Sequence, residues 1–209
     1  SRMMSNIGVG VVTCGIRELH PIKESVVFTD TDRRGSAYAK NELIHKFYEE
    51  GKDYIFIFDD DCYPVIEGWQ EKVIEWAKKN NVHYLGGIDV KGIEINGGYG
   101  DTILSERPYV GAYFFMDRQC IEKVGYFNER LIKYGWEDVS YSVRVKKVFG
   151  LTRGYPFPVW MNIYLHSKDM FGETSIPNMS DEEKQKYIEM NKEEYKDEAK
   201  NKKYIGKGR

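Results

Sequence analysis

The order of its hydrophobic segments constrains this chain most. Ile7–Thr13 is a β-branched run closed by Cys14-Gly15, Val26–Thr29 is a second such run, and Tyr54–Phe58 (YIFIF) is apolar throughout. Between the last two, Ala37, Leu43, Ile44 and Phe47 recur at helical spacing after Ser36, which is placed to cap a helix that Gly51 stops. Trp69–Lys79 is a further amphipathic helix. Strand and helix patterns that alternate in this way predict βαβ units around a largely parallel sheet, and a strand as uniformly apolar as YIFIF is one covered on both faces.

The second half is less regular. Gly86–Gly100 is rich in glycine and reads as a flexible loop, with Gly97–Gly100 a candidate lid. Tyr109–Met116 reads as a strand, Gln119–Val124 as a short helix, Val139–Val148 as a helix ended by Gly150, and Tyr155–Leu165 as an extended stretch broken by Pro156 and Pro158. From Ser180 the composition turns to Lys and Glu, and Ser180 with Glu183 forms a capping-box pattern that opens a solvated helix. The expected organisation is one α/β domain over 3–179 and a charged helical tail over 180–209. No internal repeat is evident.

Sheets of this kind bind ligands beyond the carboxyl ends of their strands. Two acidic segments fall at such ends, the turn that begins at Asp30 and the run Asp59-Asp60-Asp61. Three adjacent carboxylates repel one another and need a counter-charge. A hard divalent cation, Mn²⁺ or Mg²⁺, supplies it with one or two carboxylates plus the phosphates of a substrate. On an extended segment Asp59 and Asp61 would point to one side and share the ion. A solvated acidic turn is the plainer alternative, and the strand before the run, with Pro64 and Trp69 after it, argues against that.

Two segments, Gly35–Trp69 (GSAYAKNELIHKFYEEGKDYIFIFDDDCYPVIEGW) and Gly125–Arg144 (GYFNERLIKYGWEDVSYSVR), resemble family 2 glycosyltransferases of the GT-A fold. The first matches that family's small-residue turn, basic-Asn pair, strand, DXD motif and aromatic. The second matches its G-x-F-(D/N)-E … G-W-E-D … R segment. The resemblance implies a single Rossmann-like GT-A domain whose mixed, mainly parallel sheet is flanked by helices. It also implies a metal-dependent transfer of sugar from a nucleotide-sugar donor, a UDP-sugar first, to an acceptor hydroxyl with inversion.

Carried onto this sequence, the resemblance makes Asp61 the metal ligand, Asp59 a ribose contact or second ligand, and Asp60 a further nucleotide contact. Thr13, Arg17 and Asp30 line the nucleotide pocket. Lys40 takes the basic position of the basic-Asn pair as a phosphate contact, giving a point charge where relatives carry a guanidinium fork. Asp138 becomes the base that deprotonates the acceptor, Glu137 orients the sugar, and Trp136 forms a wall of the sugar site. An acidic pair that stabilises a helix N-terminus, with Trp136 in the core, is the structural alternative. His166, after Ile163-Tyr164-Leu165, is either a late metal ligand or a histidine hydrogen-bonded at a strand end. The turn Asp30-Thr31-Asp32-Arg33-Arg34 departs from the family's D-x-S-x-D pattern.

Composition narrows the classes. With 41% hydrophobic and 31% charged residues the chain reads as globular, and a net charge of -2 offers no global field for nucleic acid. No segment reads as membrane-spanning or as a signal peptide, and three scattered cysteines suggest a reducing compartment, so a cytoplasmic protein is expected. Ser1-Arg2 before Met3 reads as an expression scar. Two other functions fit in part. A nucleotidyltransferase shares the sheet and the acid-bound metal, but the segment after the first strand is poor as its phosphate loop. A non-catalytic sugar- or nucleotide-binding domain shares the scaffold, but would not need both acidic motifs. The acceptor is open among glycan, protein, small molecule and modified nucleic acid, as are a retaining outcome and the oligomeric state.

Overall fold

A computed structural model describes residues 6–89, 94–173 and 176–201. Its centre is a five-stranded mixed sheet in the order β2-β1-β3-β8-β5, built from β1 (Ile7–Thr13), β2 (Val26–Thr29), β3 (Tyr54–Asp59), β5 (Tyr84–Gly87) and β8 (Val110–Asp117). Strand β1 pairs parallel with both β2 and β3, whereas β8 runs antiparallel to β3 and to β5. The chain is thus α/β with a mixed sheet that is parallel at the end where β1, β2 and β3 lie together.

Helix α1 (Ser36–Glu49) covers one face of that parallel end. Its Phe47 and Leu43 lie where side chains at Gly8 and Gly10 would stand, so the helix seats close against β1. Helix α2 (Trp69–Asn80) covers the opposite face, with the Trp69 ring set edge-on to Phe56 and Phe58 of β3. The unbroken apolar run of β3 is therefore buried from both sides, as its sequence requires. Helix α3 (Arg118–Val124) follows β8, and α4 (Glu137–Phe149) brings Tyr141 onto Phe127 and Tyr84.

Two smaller sheets flank the centre. Strand β4 (Cys62–Pro64) pairs antiparallel with β10 (Leu165–Ser167), which follows the short helix α5 (Met161–Tyr164). Strands β6 (Ile95–Tyr99), β7 (Thr102–Ser105) and β9 (Tyr155–Pro158) form an antiparallel sheet. The loop expected over 86–100 is replaced in part by β5 and β6, while 90–93 lie outside the described residues. Glycine there permits close packing rather than freedom, since a Cβ on Gly86 would fall 2.7 Å from that of Tyr109. The extended stretch expected over Tyr155–Leu165 is interrupted by α5.

Capping differs at the start of α1. Gly35, not Ser36, is the N-cap, at φ 122 and without a side-chain cap. A Cβ on Gly35 would lie 2.4 Å from the backbone nitrogen of Lys133, so only glycine lets the two segments meet. Ser180 does cap α6 (Asp181–Asn201), accepting from the Glu183 amide at 3.2 Å.

The sequence predicts a solvated α6, yet one side of it is docked. Asn191 is buried and bonds the Ile132 amide and the carbonyls of Ile132, Tyr134 and Gly135. Glu198 is buried against Arg144, Ser140 and Asn128. The charged composition hid these two positions because burial here works through hydrogen bonds and an ion pair, not an apolar stripe. Among the described residues no helix is long and apolar enough to cross a membrane.

Candidate functional site

The carboxyl ends of β1, β2 and β3 open toward one another, and the chain turns sharply at the end of β3. Asp59 is the last residue of the strand, and Asp60 and Asp61 form the turn into β4. The acidic run therefore does not stay extended, and its carboxylates separate into two groups.

Asp60 and Asp61 face the loop after β1. The Thr13 hydroxyl donates to Asp60 Oδ2 at 2.9 Å and accepts from the Gly15 amide. Arg17 donates from Nη1 to Asp61 Oδ2 at 3.1 Å, and its Nε lies 3.2 Å from Asp60 Oδ1. The Nε proton goes to Asn178 Oδ1 at 3.1 Å, so buried Asp60 Oδ1 has the guanidinium charge beside it but no hydrogen bond. Burial pushes the Asp60 carboxyl up, while the Thr13 bond and Arg17 pull it back.

Asp59 faces the other way, toward Lys40 of α1. Burial, the first cause, raises its carboxyl to about 8, with Lys40 opposing and Asp61, Asp60 and Glu137 adding to the rise. Lys40 is 1% exposed, and its Nζ stands 3.9 Å from Glu137 Oε1. Burial disfavours the ammonium, but Glu137, Asp59 and Asp138 together outweigh it and hold the lysine above its ordinary value. Lys40 thus joins Asp59, at the end of β3, to the acids that open α4. It is enclosed by carboxylates and by the Phe114 and Phe127 rings.

Glu137 and Asp138 occupy the first turn of α4, where the helix dipole favours negative charge. Burial and Asp138 push Glu137 up, and Lys40 and a hydrogen bond with Ser36 hold it back. Asn41, beside Lys40, takes the Phe127 amide on its Oδ1 at 2.9 Å and donates to the Phe127 carbonyl and to Glu129. The two halves of the sequence resemblance are in this way bonded to each other through consecutive residues of α1.

The remaining expected residues have definite positions. Asp30 is buried and accepts from the amides of Arg34 and Gly35 at 3.0 and 2.8 Å, which closes the turn before α1. Trp136 stacks on Tyr195 of α6 and donates from Nε1 to the Ile188 carbonyl, so its ring faces the docked helix. His166 pairs through its backbone with Tyr63, stacks on Phe171 and bonds Glu173 Oε2 at 2.9 Å. Of the expected residues, Thr13, Arg17, Asp60 and Asp61 share contacts at the turn, and Lys40 joins Asp59 to Glu137 and Asp138. His166, Asp30 and Trp136 bond elsewhere.

Three residues of the site carried no clear sequence signal. Ser36 contacts Glu137, Asn178 holds Arg17, and Gly111 lies in β8 where a Cβ would come 2.8 Å from Lys40 Nζ and 3.2 Å from Asp138 Oδ2. The ladder is irregular here, with Gly86 opposite Phe114 and Gly87 opposite Val110. A glycine inside a strand pattern is the one hint that was available for Gly111, since it marks a bulge or a close approach.

The side chains at the turn offer carboxylate oxygens, the donors a hard cation takes, and one of them, buried Asp60 Oδ1, lacks a hydrogen bond. It is not a finished cage, for among the described residues no group of three or more His, Cys, Asp or Glu is placed to hold a metal ion. No protein-family model matches the chain, and no curated protein matches it.

Proposed function

We propose that this chain is a glycosyltransferase that moves a sugar from a nucleoside-diphosphate sugar, a UDP-sugar first, to an acceptor hydroxyl with inversion. One observation carries the reading. Buried Lys40 sits between Asp59, at the end of β3, and Glu137 and Asp138, at the start of α4, beside the acidic turn at the carboxyl edge of the sheet. A donor site alone would need only the first group, and a base for the acceptor accounts for the second.

Asp61, with Asp60 beside it on the side facing the loop after β1, would hold Mn²⁺ or Mg²⁺, which when bound would supply Lewis-acid stabilisation of the departing diphosphate, while Asp59 is turned toward Lys40. Thr13 and Arg17 would meet the nucleotide end of the donor. Asp138 takes the acceptor proton at its carboxylate, at a position open to that role because Gly111 has no side chain. Glu137, pushed up by burial, holds a proton more readily than an ordinary glutamate and suits a hydrogen bond to a sugar hydroxyl. Lys40 keeps the two acids of α4 and Asp59 from repelling one another.

Calorimetric titration with UDP, GDP, CDP and dTDP, in Mn²⁺ and then in EDTA, tests the reading on the native chain and on Asp61→Ala. Metal-dependent binding of one nucleotide, lost in the variant, is the expected result. Absence of binding by any of the four to a folded protein would overturn it in favour of a binding domain for another ligand.

A further inference from the structure

We propose that Arg17 is the resident counter-cation of the acidic turn, and that it yields to a divalent metal ion only when a nucleoside diphosphate enters with the metal. The inference rests on the donor-site reading given above. Its basis is the position of one guanidinium, which reaches Asp61 Oδ2 at 3.1 Å and stands 3.2 Å from Asp60 Oδ1. Both aspartates are buried, at 3% and 8% exposure, and a guanidinium stays charged at any working pH. Arg17 therefore cannot leave by losing its proton and has to move.

The guanidinium is free enough to move but is not idle. Its side chain keeps 18% of its surface and extends from the loop after β1. Among the described residues it is also tethered by Asn178, whose Oδ1 accepts from Nε and whose carbonyl accepts from Arg33. A bare metal ion must displace an internal cation that already neutralises the turn, and the displaced charge gains only solvent in exchange. A diphosphate changes both sides of that exchange. Its oxygens complete the shell of an ion that binds through few carboxylates, and they offer the guanidinium a new partner in the geometry it prefers. Metal and nucleotide are then coupled through Arg17, each binding weakly without the other.

The test measures Mn²⁺ affinity, by the electron-paramagnetic-resonance signal of the free ion, for the native protein, Arg17→Gln and Arg17→Lys, each without and with saturating UDP. Arg17 lies on a partly exposed loop, and a thermal melt confirms that each variant is folded. Without UDP, Arg17→Gln is expected to bind Mn²⁺ roughly tenfold or more tightly than the native chain, as removal of a cation about 3 Å from a ligand oxygen requires. Arg17→Lys, which keeps a charge but loses the fork, falls between them. With UDP the gap closes or reverses. A gain absent from Arg17→Gln, or equal in Arg17→Lys, overturns the proposal while UDP-dependent Mn²⁺ binding by the native chain leaves the donor-site reading standing. Failure of all three proteins to bind Mn²⁺ with UDP present overturns both.

Discussion

Lys40 Nζ lies 3.9 Å from Glu137 Oε1 at the bottom of the site, with 1% of the lysine exposed. An ammonium so enclosed would ordinarily shed its proton, because burial removes several kcal/mol of hydration. It does the reverse here, since Glu137, Asp59 and Asp138 together favour the charge more than burial opposes it. The acids depend on the lysine in turn. Lys40 is the main influence holding Asp59 down against burial, and one of those restraining Glu137. The centre is a single electrostatic unit assembled from α1, β3 and α4.

Removal of the lysine should therefore be felt in stability as well as activity. Lys40→Met fits the apolar rings around the stem but leaves the carboxylates without their counter-charge. A loss of about 3 kcal/mol is expected, the scale for breaking a buried pair, read by urea unfolding at pH 7. Transfer activity should be lost with it. Stability equal to that of the native chain would mean that the acids do not rely on Lys40.

The raised carboxyl of Asp59 sets a pH dependence. Folding lifts it from 3.8 to about 8, so between these values the native state holds a proton that the unfolded chain has released. Stability of the metal-free protein should then fall as pH rises from about 4 to about 8, with a slope approaching about 1.4 kcal/mol per pH unit from this group. Asp60 and Glu137 are shifted the same way and add to the fall. Lys40, raised above 10.5, titrates outside this window. Asp59→Asn should flatten the slope and melt higher than the native chain at pH 8, by calorimetry in EDTA. An unchanged slope would place the titration elsewhere.

Asp138→Asn separates binding from chemistry. The amide keeps the shape of the side chain and removes the proton acceptor. Transfer should drop by about 10²–10⁴-fold, while UDP affinity in Mn²⁺ stays within about twofold of native. Loss of UDP binding instead would assign Asp138 to the donor site.

The docked face of α6 also reaches the site. Asn191 bonds the backbone of Ile132, Tyr134 and Gly135, the segment that leads into Glu137. Asn191→Leu removes those bonds and should cost about 2 kcal/mol. Amides of 132–137 should exchange with solvent faster, with little change in the strands β1 and β3. Exchange unaltered in that segment would show that α6 is not what orders it.

Much of the framework was legible in the sequence, because long apolar runs and helical spacing report burial directly. Strands β1, β2 and β3, helices α1 and α2, and the acids at the ends of β3 and at the start of α4 all stood out. What stayed hidden depends on partners far along the chain. Nothing near Asn191 or Glu198 in a Lys/Glu-rich segment tells that a backbone loop and Arg144 will satisfy them. The turn at Asp60-Asp61 divides the carboxylates between Arg17 and Lys40, a division that adjacent positions in sequence conceal. Gly86 read as loop because close packing and flexibility draw on the same residue type.

Gly111 offers the sharpest separation of stability from function. A Cβ there meets Lys40 Nζ at 2.8 Å and Asp138 Oδ2 at 3.2 Å, and the first distance is too short to persist. The atom that must give way is the end of a side chain, so the backbone of β8 need not shift, but that end is buried, and overpacking of this kind costs about 1–3 kcal/mol. Displacement of the ammonium changes what the carboxylates experience, however, and the added methyl stands beside the oxygen proposed as the base. Gly111→Ala should therefore stay folded, losing no more than about 3 kcal/mol, yet lose transfer by at least about tenfold, the effect of a misplaced catalytic group. Urea unfolding and a transfer assay on the same preparation check it. A stable Gly111→Ala protein with native activity would show that the space between Lys40 and Asp138 is not used in the reaction.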